Sequence, residues 1–264
     1  MATRDQTIDV AIGDGHIAGT LIMPGTRIPG VLFVHGWGGS QQQYLSRARE
    51  VAALGCVCLT FDLRGHAETR TQYEAVSREQ NLADVVAAYD VLAGNPNVDS
   101  SAIAVVGSSY GGYLAAILTS MRAVKWLALR APALYLDLGW ELPKLQLHRE
   151  HDLVAYRKKP IPAAENRALR ACLEFQGDVL LIESENDSVI PHTVITSYVD
   201  ACTRAHSLTY RTIHGADHGL SDEGSQRSYT ALLVNWMTEM VQGARVGNKA
   251  APDAVPQPDS RQST

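Results

Sequence analysis

A serine framed by glycines is the strongest chemical signal in the sequence. Residues 107–112 read Gly-Ser-Ser-Tyr-Gly-Gly, which is a G-x-S-x-G pattern centred on Ser109. An apolar β-type run at 102–106 precedes it and a helical pattern at 110–120 follows, as a nucleophile elbow requires. Glycines on either side avoid side-chain collisions at so sharp a turn. The pattern predicts Ser109 as a nucleophile, and the alternative is a glycine-serine turn that only joins a strand to a helix.

A serine hydroxyl attacks well near neutral pH only when a base takes its proton. Of the nine histidines, His218 lies in a polar, glycine-flanked loop between the last predicted strand and the final predicted helix. Loops at the carboxyl ends of parallel strands commonly carry the chemistry of such sheets. His214 is the competing candidate, but it still lies at the strand end, whereas Gly219 frees the backbone beside His218. We therefore favour His218 as the base.

The third member of such a site is a carboxylate that orients the imidazole and stabilises its charged form. The predicted strand at 179–182 is followed by three acids, Glu183, Glu185 and Asp187. Asp187 lies furthest into the loop and is the preferred orienter, with the two glutamates as alternatives. Asp217 adjoins the candidate base in sequence and is a poor orienter, because neighbours on a chain rarely aim their side chains at each other.

An oxyanion hole needs two convergent N–H donors. The amide of Tyr110, directly after the serine, is the first candidate, and it begins a helix whose N-terminus carries partial positive charge. The second is expected from the segment 35–40, His-Gly-Trp-Gly-Gly-Ser, with the Trp37 amide as the donor. His35 is expected to hold this loop rather than to act as a base. Taken alone, the segment is typical of an ordinary glycine-rich turn.

The elements that must position these residues alternate between short β-type runs and helical stretches, which predicts an α/β protein with a mostly parallel sheet. About eight strands in a doubly wound sheet are predicted, at 8–12, 16–23, 30–34, 57–61, 102–106, 126–129, 179–182 and 208–213. Helices are predicted at 44–54, 80–92, 110–120, 163–173, 193–204 and 225–241. The first two strands flank Gly13-Asp14-Gly15, where Asp-Gly favours the positive-φ turn of an antiparallel hairpin.

Two segments interrupt this alternation. Residues 135–162, called the insertion below, are too long for an ordinary connection and contain Tyr135, Trp140 and Tyr156. Long insertions are commonly lids, so we expect it to cover the site, with these aromatic residues as walls of an acyl or alcohol pocket. The alternative is an inert excursion whose aromatic residues pack it onto the domain. The tail at 245–264 is rich in Ala, Pro, Asp, Gln and Ser and is predicted to be disordered, which leaves one domain at 1–244.

Composition excludes several classes of function. The chain has 264 residues, 45% hydrophobic and 19% charged, as a globular domain does. Its 23 basic and 28 acidic residues give a net charge of −5 without long runs of one sign, which argues against a nucleic-acid surface. No window approaches the ~18 apolar residues of a membrane span. The start lacks the apolar core of a signal peptide, so we expect a cytosolic protein.

No cofactor or metal is expected. His148 and His151 have a helical spacing but no convincing third ligand. Gly13 and Gly15 begin a G-x-G pattern, but the next glycine comes one place late for a dinucleotide-binding fingerprint and a strand pattern follows. The four cysteines form no metal-binding or redox motif and are interpreted as reduced packing residues.

Five segments together resemble the α/β-hydrolase superfamily, namely residues 35–39, 62–66, 107–112, 187–191 and 214–219. The chain order of Ser109, Asp187 and His218 is that of the α/β-hydrolase triad and not of chymotrypsin or subtilisin. Within the superfamily the chain resembles the dienelactone-hydrolase and prolyl-oligopeptidase-like branch of small esterases. The resemblance implies an α/β-hydrolase fold, these three residues as nucleophile, orienter and base, and Trp37 and Tyr110 as oxyanion donors. Dienelactone hydrolases have a cysteine nucleophile where this chain has serine.

The sequence therefore predicts a cofactor-independent serine hydrolase that cleaves small carboxylic esters through an acyl-enzyme. A small aminopeptidase or amidase is the first alternative, because the same triad serves both kinds of bond. A non-catalytic binding protein on a hydrolase scaffold is the second, because a fold alone does not define a function.

Overall fold

The computed structural model describes residues 4–23 and 28–249. Its strands are β1 Arg4–Ile12, β2 Gly15–Met23, β3 Ile28–Val34, β4 Val57–Phe61, β5 Val98–Ser108, β6 Trp126–Arg130, β7 Asp178–Ser184 and β8 Ser207–Ile213. Its α-helices are α1 Leu45–Ala53, α2 Arg78–Ala93, α3 Tyr110–Leu118, α4 Lys144–Glu150, α5 Leu153–Arg157, α6 Arg167–Glu174, α7 His192–Ala201 and α8 Glu223–Lys249. In this part of the chain, no helix is both long and apolar enough to span a bilayer.

The strands form one sheet in the order β1-β2-β4-β3-β5-β6-β7-β8. β1 and β2 pair antiparallel, β2 pairs antiparallel with β4, and the six strands from β3 to β8 are parallel. The predicted mostly parallel sheet with an antiparallel N-terminal hairpin is therefore confirmed. After β3 the chain moves outward to β4 and then crosses to β5 on the other side of β3. Ligands of such sheets bind beyond the carboxyl ends of the strands at a point of this kind.

Both faces of the sheet are covered by helices. Every residue of β3, β4 and β6 is buried, as expected for strands with helices on either side. Alternate positions of a strand enter opposite layers, so that Leu127 packs in the layer of α2, α3, α6 and α7, whereas Trp126 packs in the layer of α1 and α8. Because both faces of each strand are packed, the strand cannot shift along its own axis. The positions of its carboxyl end and of the loop that follows are therefore fixed.

The N-terminal hairpin turns one residue earlier than the Asp-Gly pair suggested. Ile12 pairs with Gly15, which leaves a two-residue loop of Gly13 and Asp14. The positive φ, +55°, is at Gly13. Only a residue without a Cβ adopts this conformation at little cost, so the first glycine rather than the Asp-Gly pair forms the turn.

The insertion contains α4 and α5 and is attached to the start of α2. The amide of Glu79 donates to the Trp140 carbonyl (3.1 Å), and the amide of Lys144 donates to the Val76 carbonyl (2.9 Å). At the other end of the chain α8 continues to Lys249, so residues 245–249 are helical rather than part of the predicted disordered tail. Residues 250–264 of that tail lie outside the described residues.

The fold is stabilised by side chains of the central strands that pack in the core. Truncating one of them should lower the free energy of unfolding considerably. We expect Leu127→Ala in β6 to lower the free energy of unfolding by about 2–5 kcal/mol, because the surrounding strands and helices collapse only partly around a lost side chain. Urea unfolding followed by circular dichroism measures this change. Leu138→Ala, which truncates a side chain that is 44% exposed, is the control and should change it by less than about 1 kcal/mol. Equal losses would contradict this account of the core.

Candidate active site

The serine of the G-x-S-x-G pattern lies in the sharp turn between β5 and α3. The backbone of Ser109 has φ +53° and ψ −118°, a conformation that non-glycine residues rarely adopt. A Cβ at Gly107 would lie 2.5 Å from the carbonyl oxygen of Gly111, and a Cβ at Gly111 would lie 2.2 Å from that of Val34. The two glycines are therefore required by backbone contacts, which is the steric reason that the sequence pattern suggested.

The three residues predicted to act together form one chain of hydrogen bonds. The hydroxyl of Ser109 donates to Nε2 of His218 at 3.0 Å. The opposite ring nitrogen, Nδ1, donates to Oδ2 of Asp187 at 2.7 Å. This assignment places the imidazole proton on Nδ1 and leaves the lone pair of Nε2 facing the hydroxyl. The structure thus brings together, from three distant segments, the groups that proton removal from a serine needs.

The acid of this chain is fixed by its own loop. Oδ1 of Asp187 accepts hydrogen bonds from the amides of Val189 (2.8 Å) and Ile190 (2.7 Å), and the side chain is only 3% exposed. The amide of the preceding residue, Asn186, donates to the carbonyl of Ala216 at 2.8 Å and joins this loop to the one that carries the histidine. Oδ2 is therefore held in one direction, toward the imidazole.

The alternative histidine has a different partner. The side chain of His214 is 84% exposed, and its Nδ1 lies 3.3 Å from Oε1 of Glu185. The other carboxylate oxygen of Glu185 accepts from the amide of Gly215 at 2.7 Å. These two hydrogen bonds lower the pKa of Glu185. They also connect the ends of β7 and β8 at the protein surface, away from the serine.

Glu183 and Asp217 also bind residues other than His218. Glu183 binds the imidazole of His192 at 2.9 Å and the hydroxyl of Tyr210. Asp217 accepts from the hydroxyl and the amide of Ser221, and these hydrogen bonds lower its pKa. Of the four acids considered from the sequence, only Asp187 contacts the histidine that faces the serine.

The segment 35–40, called the oxyanion loop below, passes beside the serine. A Cβ on Gly36 would lie 3.3 Å from the Cβ of Ser109, so the loop backbone approaches the nucleophile closely. The amide of Gly38 donates to Nε2 of His66 at 3.0 Å. Within the described residues, the amides of Trp37 and Tyr110 donate no hydrogen bond to another protein group. Both predicted oxyanion donors are thus available to a ligand.

Two buried histidines hold the oxyanion loop. Nδ1 of His35 donates to the Gly36 carbonyl (2.8 Å), and its Nε2 accepts from the amide of Leu63 (3.0 Å), which agrees with the expected role of His35 in holding the loop. Burial lowers the pKa of His35 to about 4. Burial also lowers the pKa of His66, whose Nδ1 donates to the carbonyl of Arg64. Neutral imidazoles at both positions can accept the backbone N–H groups that fix the loop.

The role of His66 was not predicted from the sequence. Residues 62–66 were recognised only as one of the segments that resemble a family, yet His66 accepts from the oxyanion loop and Asp62 supplies a second anchor for it. Asp62 accepts from the amide of Gln41 (2.8 Å) and from its side chain (2.9 Å), and so fixes the residue that follows the loop. A polar run directly after a buried strand was the available signal.

A pocket of about 340 Å³ opens beside the serine. Ser109, His218 and Trp37 line it, together with Arg47 and Arg130, which the sequence analysis had not singled out. Neither arginine belongs to a recognisable motif, and they meet only because the fold places both guanidinium groups beside the ring of Tyr229 in α8. The pocket therefore combines the candidate nucleophile and base with a basic wall.

The three aromatic residues of the insertion do not line this pocket. Tyr135 packs edge-on against Tyr110, with ring centroids 5.6 Å apart, and Trp140 stacks on Tyr113 at 5.9 Å. The hydroxyl of Tyr156 accepts from the side-chain amide of Asn166. The rings of the first two bury apolar surface against α3, so they attach the insertion to the domain, which is the alternative that the sequence had left open.

Comparisons with known proteins agree with this architecture. Residues 42–244 match the prolyl oligopeptidase family. Two uncharacterized proteins of Mycobacterium tuberculosis are 29% identical to the chain over 218 residues, which is 80% of this chain and 70% of each relative.

Solved structures are similar over nearly the whole chain. Dienelactone hydrolase from Anabaena variabilis has a TM-score of 0.66 and 20% identity, covering 90% of this chain and 98% of that protein. Est1E from Butyrivibrio proteoclasticus, with ferulic acid bound, has a TM-score of 0.68 and 17% identity, covering 89% and 99%. The predicted α/β-hydrolase fold is confirmed.

The buried His35 should make the protein less stable in acid. Its pKa of about 4 lies below the value of about 6.5 for an unfolded chain, so between these values the unfolded state binds a proton that the folded state does not. Stability attributable to this residue is present above about pH 6.5 and is lost as the pH falls toward 4. The free energy of unfolding falls between pH 7 and pH 5. We expect this fall to be about 1 to 2 kcal/mol smaller in His35→Gln than in the unaltered protein.

Urea unfolding at several pH values measures that loss. His16→Gln, at an exposed position in β2, is the matched control and should leave the pH dependence as it is in the unaltered protein. If His35→Gln and the unaltered protein lost stability in parallel on acidification, the neutral state assigned to this histidine would be wrong.

Proposed function

We propose that this chain, which belongs to the prolyl oligopeptidase family and has the α/β-hydrolase fold, is a serine hydrolase that cleaves carboxylic esters. The observation that carries the proposal is the hydrogen-bonded chain from Ser109 through His218 to Asp187, at 3.0 and 2.7 Å. Each distance lies within the range in which a proton can pass or an imidazole can be oriented.

In the proposed mechanism, the oxygen of Ser109 attacks the ester carbonyl while its proton passes to Nε2 of His218. The negative charge on the carbonyl oxygen is stabilised by the amides of Trp37 and Tyr110. Collapse of the tetrahedral intermediate breaks the bond to the alcohol, which leaves with the proton from Nε2. Water then loses a proton to Nε2 as it attacks the acyl carbonyl, and the second tetrahedral intermediate collapses by breaking the bond to the oxygen of Ser109. That oxygen takes the proton back from Nε2, which frees the serine and releases the acid. Asp187 keeps its charge throughout and stabilises the transient imidazolium.

The lining of the pocket favours esters over aminopeptidase substrates. An aminopeptidase must bind the positively charged amino terminus of a peptide, and a carboxylate side chain is the natural partner for it. Among the described residues that line the pocket there is no aspartate or glutamate, whereas there are two arginines, Arg47 and Arg130. Such a wall repels a cationic terminus. Peptide or amide cleavage, which the family's name suggests, is the alternative that the first experiment below separates.

The nucleophile can be tested by labelling and by substrate preference. We expect a fluorophosphonate probe to label the protein but not Ser109→Ala, and we expect Ser109→Ala to lower kcat for 4-nitrophenyl esters by at least about 10³-fold. A series of 4-nitrophenyl esters of increasing acyl length, run beside aminoacyl 4-nitroanilides, measures the preference. Ser120→Ala, outside the site, is the control. Faster turnover of the anilides would favour the peptidase, and an unlabelled, inactive protein would favour a binding role.

The acid can be tested against its sequence neighbour. Asp187→Asn should lower kcat by about 10² to 10⁴-fold, because an amide at this position can no longer hold the correct tautomer of His218 or stabilise its charge. Asp217→Asn removes the same charge from the residue adjacent to His218 in sequence and should change kcat by less than about fivefold. The two variants are compared on one ester at saturating concentration. Equal effects would remove the proposed role of Asp187.

A further inference from the structure

We infer that the pocket beside Ser109 selects esters that carry a second, negatively charged group, a carboxylate, and that Arg47 and Arg130 recognise this group. The inference rests on the proposed function, since it names the class of ester that the same site would take. It is carried by the bonding of the two arginines, by the unpartnered hydroxyl of the tyrosine that both contact, and by the absence of acids from the described pocket lining.

Arg130 is a buried cation with neutral partners. It is the last residue of β6 and is 7% exposed. Its Nε donates to the hydroxyl of Ser108 at 2.6 Å, and its Nη1 donates to the hydroxyl of Ser184 at 3.2 Å. In the described part of the chain it forms no ion pair within 4.0 Å, and Nη2 donates no hydrogen bond to the protein. A guanidinium removed from water and left without a counter-charge is costly, and an anion bound in the pocket would offset that cost.

The contact with Ser108 places this cation next to the reacting centre. Ser108 immediately precedes the candidate nucleophile, and the carbonyl of Arg130 itself accepts from the amide of Ser109 at 2.9 Å. The guanidinium is thus attached by hydrogen bonds to the turn that presents the serine. A carboxylate on a small ester bound at Ser109 would lie within reach of it.

Arg47 adds a second cation beside the tyrosine ring that Arg130 contacts. Its guanidinium lies 4.8 Å from the centroid of Tyr229, and that of Arg130 lies 5.8 Å from the same centroid. Like Arg130, Arg47 has neutral partners, the hydroxyl of Thr230 at 3.1 Å and the carbonyl of Gln43 at 2.7 Å. Two cations on one ring, each without a bound carboxylate, make a site that attracts negative charge.

The hydroxyl of Tyr229 adds a donor without a partner. Tyr229 lines the pocket and is 2% exposed, and its buried hydroxyl has no hydrogen bond to the described residues. An unsatisfied buried hydroxyl is unfavourable, so such groups usually bind protein, water or a ligand. A carboxylate oxygen can accept from this phenol and from a guanidinium together, which is a reason to assign the three side chains to one ligand group.

Among the described residues, no acid forms an ion pair with this wall. Glu50 and Glu223 line a neighbouring pocket together with Arg47, and Glu223 pairs with Arg227 at 2.9 Å. The pKa of Asp217 is lowered mainly by its hydrogen bonds with Ser221 and to a smaller extent by Arg130, and Asp217 lies outside the pocket lining. Glu183 is turned toward His192 and Tyr210. The pocket therefore presents two positive charges to its contents, and the planar fork of arginine matches a carboxylate.

The first experiment compares matched esters. Mono-(4-nitrophenyl) glutarate and 4-nitrophenyl pentanoate have the same acyl length and differ in a terminal carboxylate. A second pair, 4-acetoxybenzoate and its methyl ester, places the charge on the leaving group. We expect kcat/KM to favour the charged member of at least one pair by about tenfold or more after correction for uncatalysed hydrolysis, as charge-assisted hydrogen bonds allow.

Charge reversal at Arg47 tests the cause of this preference. Arg47→Glu should lower the charged-to-neutral ratio of kcat/KM at least about tenfold. Arg49→Glu makes the same change two residues along α1, at an exposed arginine that pairs with Asp5, and should leave the ratio unaltered. Arg130→Gln should also lower the ratio, and the ratio rather than the rate is the readout because Arg130 also binds Ser108. A ratio near one, or equal effects of the Arg47 and Arg49 variants, would overturn the inference and leave ester hydrolysis intact.

A binding measurement separates this inference from the proposed chemistry. Isothermal titration of Ser109→Ala with monomethyl glutarate and with methyl pentanoate does not depend on turnover. We expect only the charged compound to bind, and we expect Arg47→Glu in the same background to weaken its binding about tenfold or more. If no ester were cleaved but this binding were found, ester hydrolysis alone would fail. If neutral esters were cleaved and both compounds bound equally, only the anionic selectivity would fail.

Discussion

The site depends on one close backbone contact between the start of a helix, α3, and the end of a strand, β3. Gly111, at the start of α3, approaches the carbonyl of Val34 at the end of β3 so closely that a Cβ would lie 2.2 Å away. This contact allows the turn at Ser109 to take its positive φ, a conformation that costs about 1–3 kcal/mol and needs support from its surroundings. It also places the oxyanion loop beside the nucleophile, since that loop begins where β3 ends. The positive φ of the serine and the close approach of the oxyanion loop to it are therefore two results of one packing constraint.

The histidines around the serine have different roles, and these roles follow from how deeply each histidine is buried. His35 and His66 are buried, their pKa values are lowered by burial, and each uses Nε2 to accept a backbone N–H. Their lone pairs are committed to fixing loops. His218 instead directs Nε2 at the serine hydroxyl and is 22% exposed, so water can reach it, as the proposed hydrolysis of an acyl-enzyme requires. The three imidazoles thus have different roles because their ring nitrogens contact different groups.

The sequence could predict most of the sheet and three side chains of the site because local chemistry determines them. Glycines around a serine, a histidine in a glycine-flanked loop and an acid deep in another loop each follow from short segments. The basic wall did not follow from sequence, because Arg47 and Arg130 come from α1 and β6 and meet only through the packing on Tyr229. The role of the aromatic residues in the insertion was left open for a similar reason. Aromatic residues in a long loop fit a pocket wall and a packing anchor equally well, and only the position of α3 decides between them.

The insertion contributes to the site through the oxyanion loop rather than by lining the pocket. Lys144 of α4 is buried, with its ammonium nitrogen 4.0 Å from the ring centroid of Trp37 and 4.9 Å from that of Tyr110. Burial lowers the pKa of this lysine, and neighbouring Arg157 and Arg78 lower it further. The indole of Trp37 is also in edge contact with His66, so it is enclosed from several sides. An oxyanion donor is effective when it is held in place before charge develops. Lys144 of the insertion therefore helps to immobilise Trp37, whose amide is the proposed second oxyanion donor.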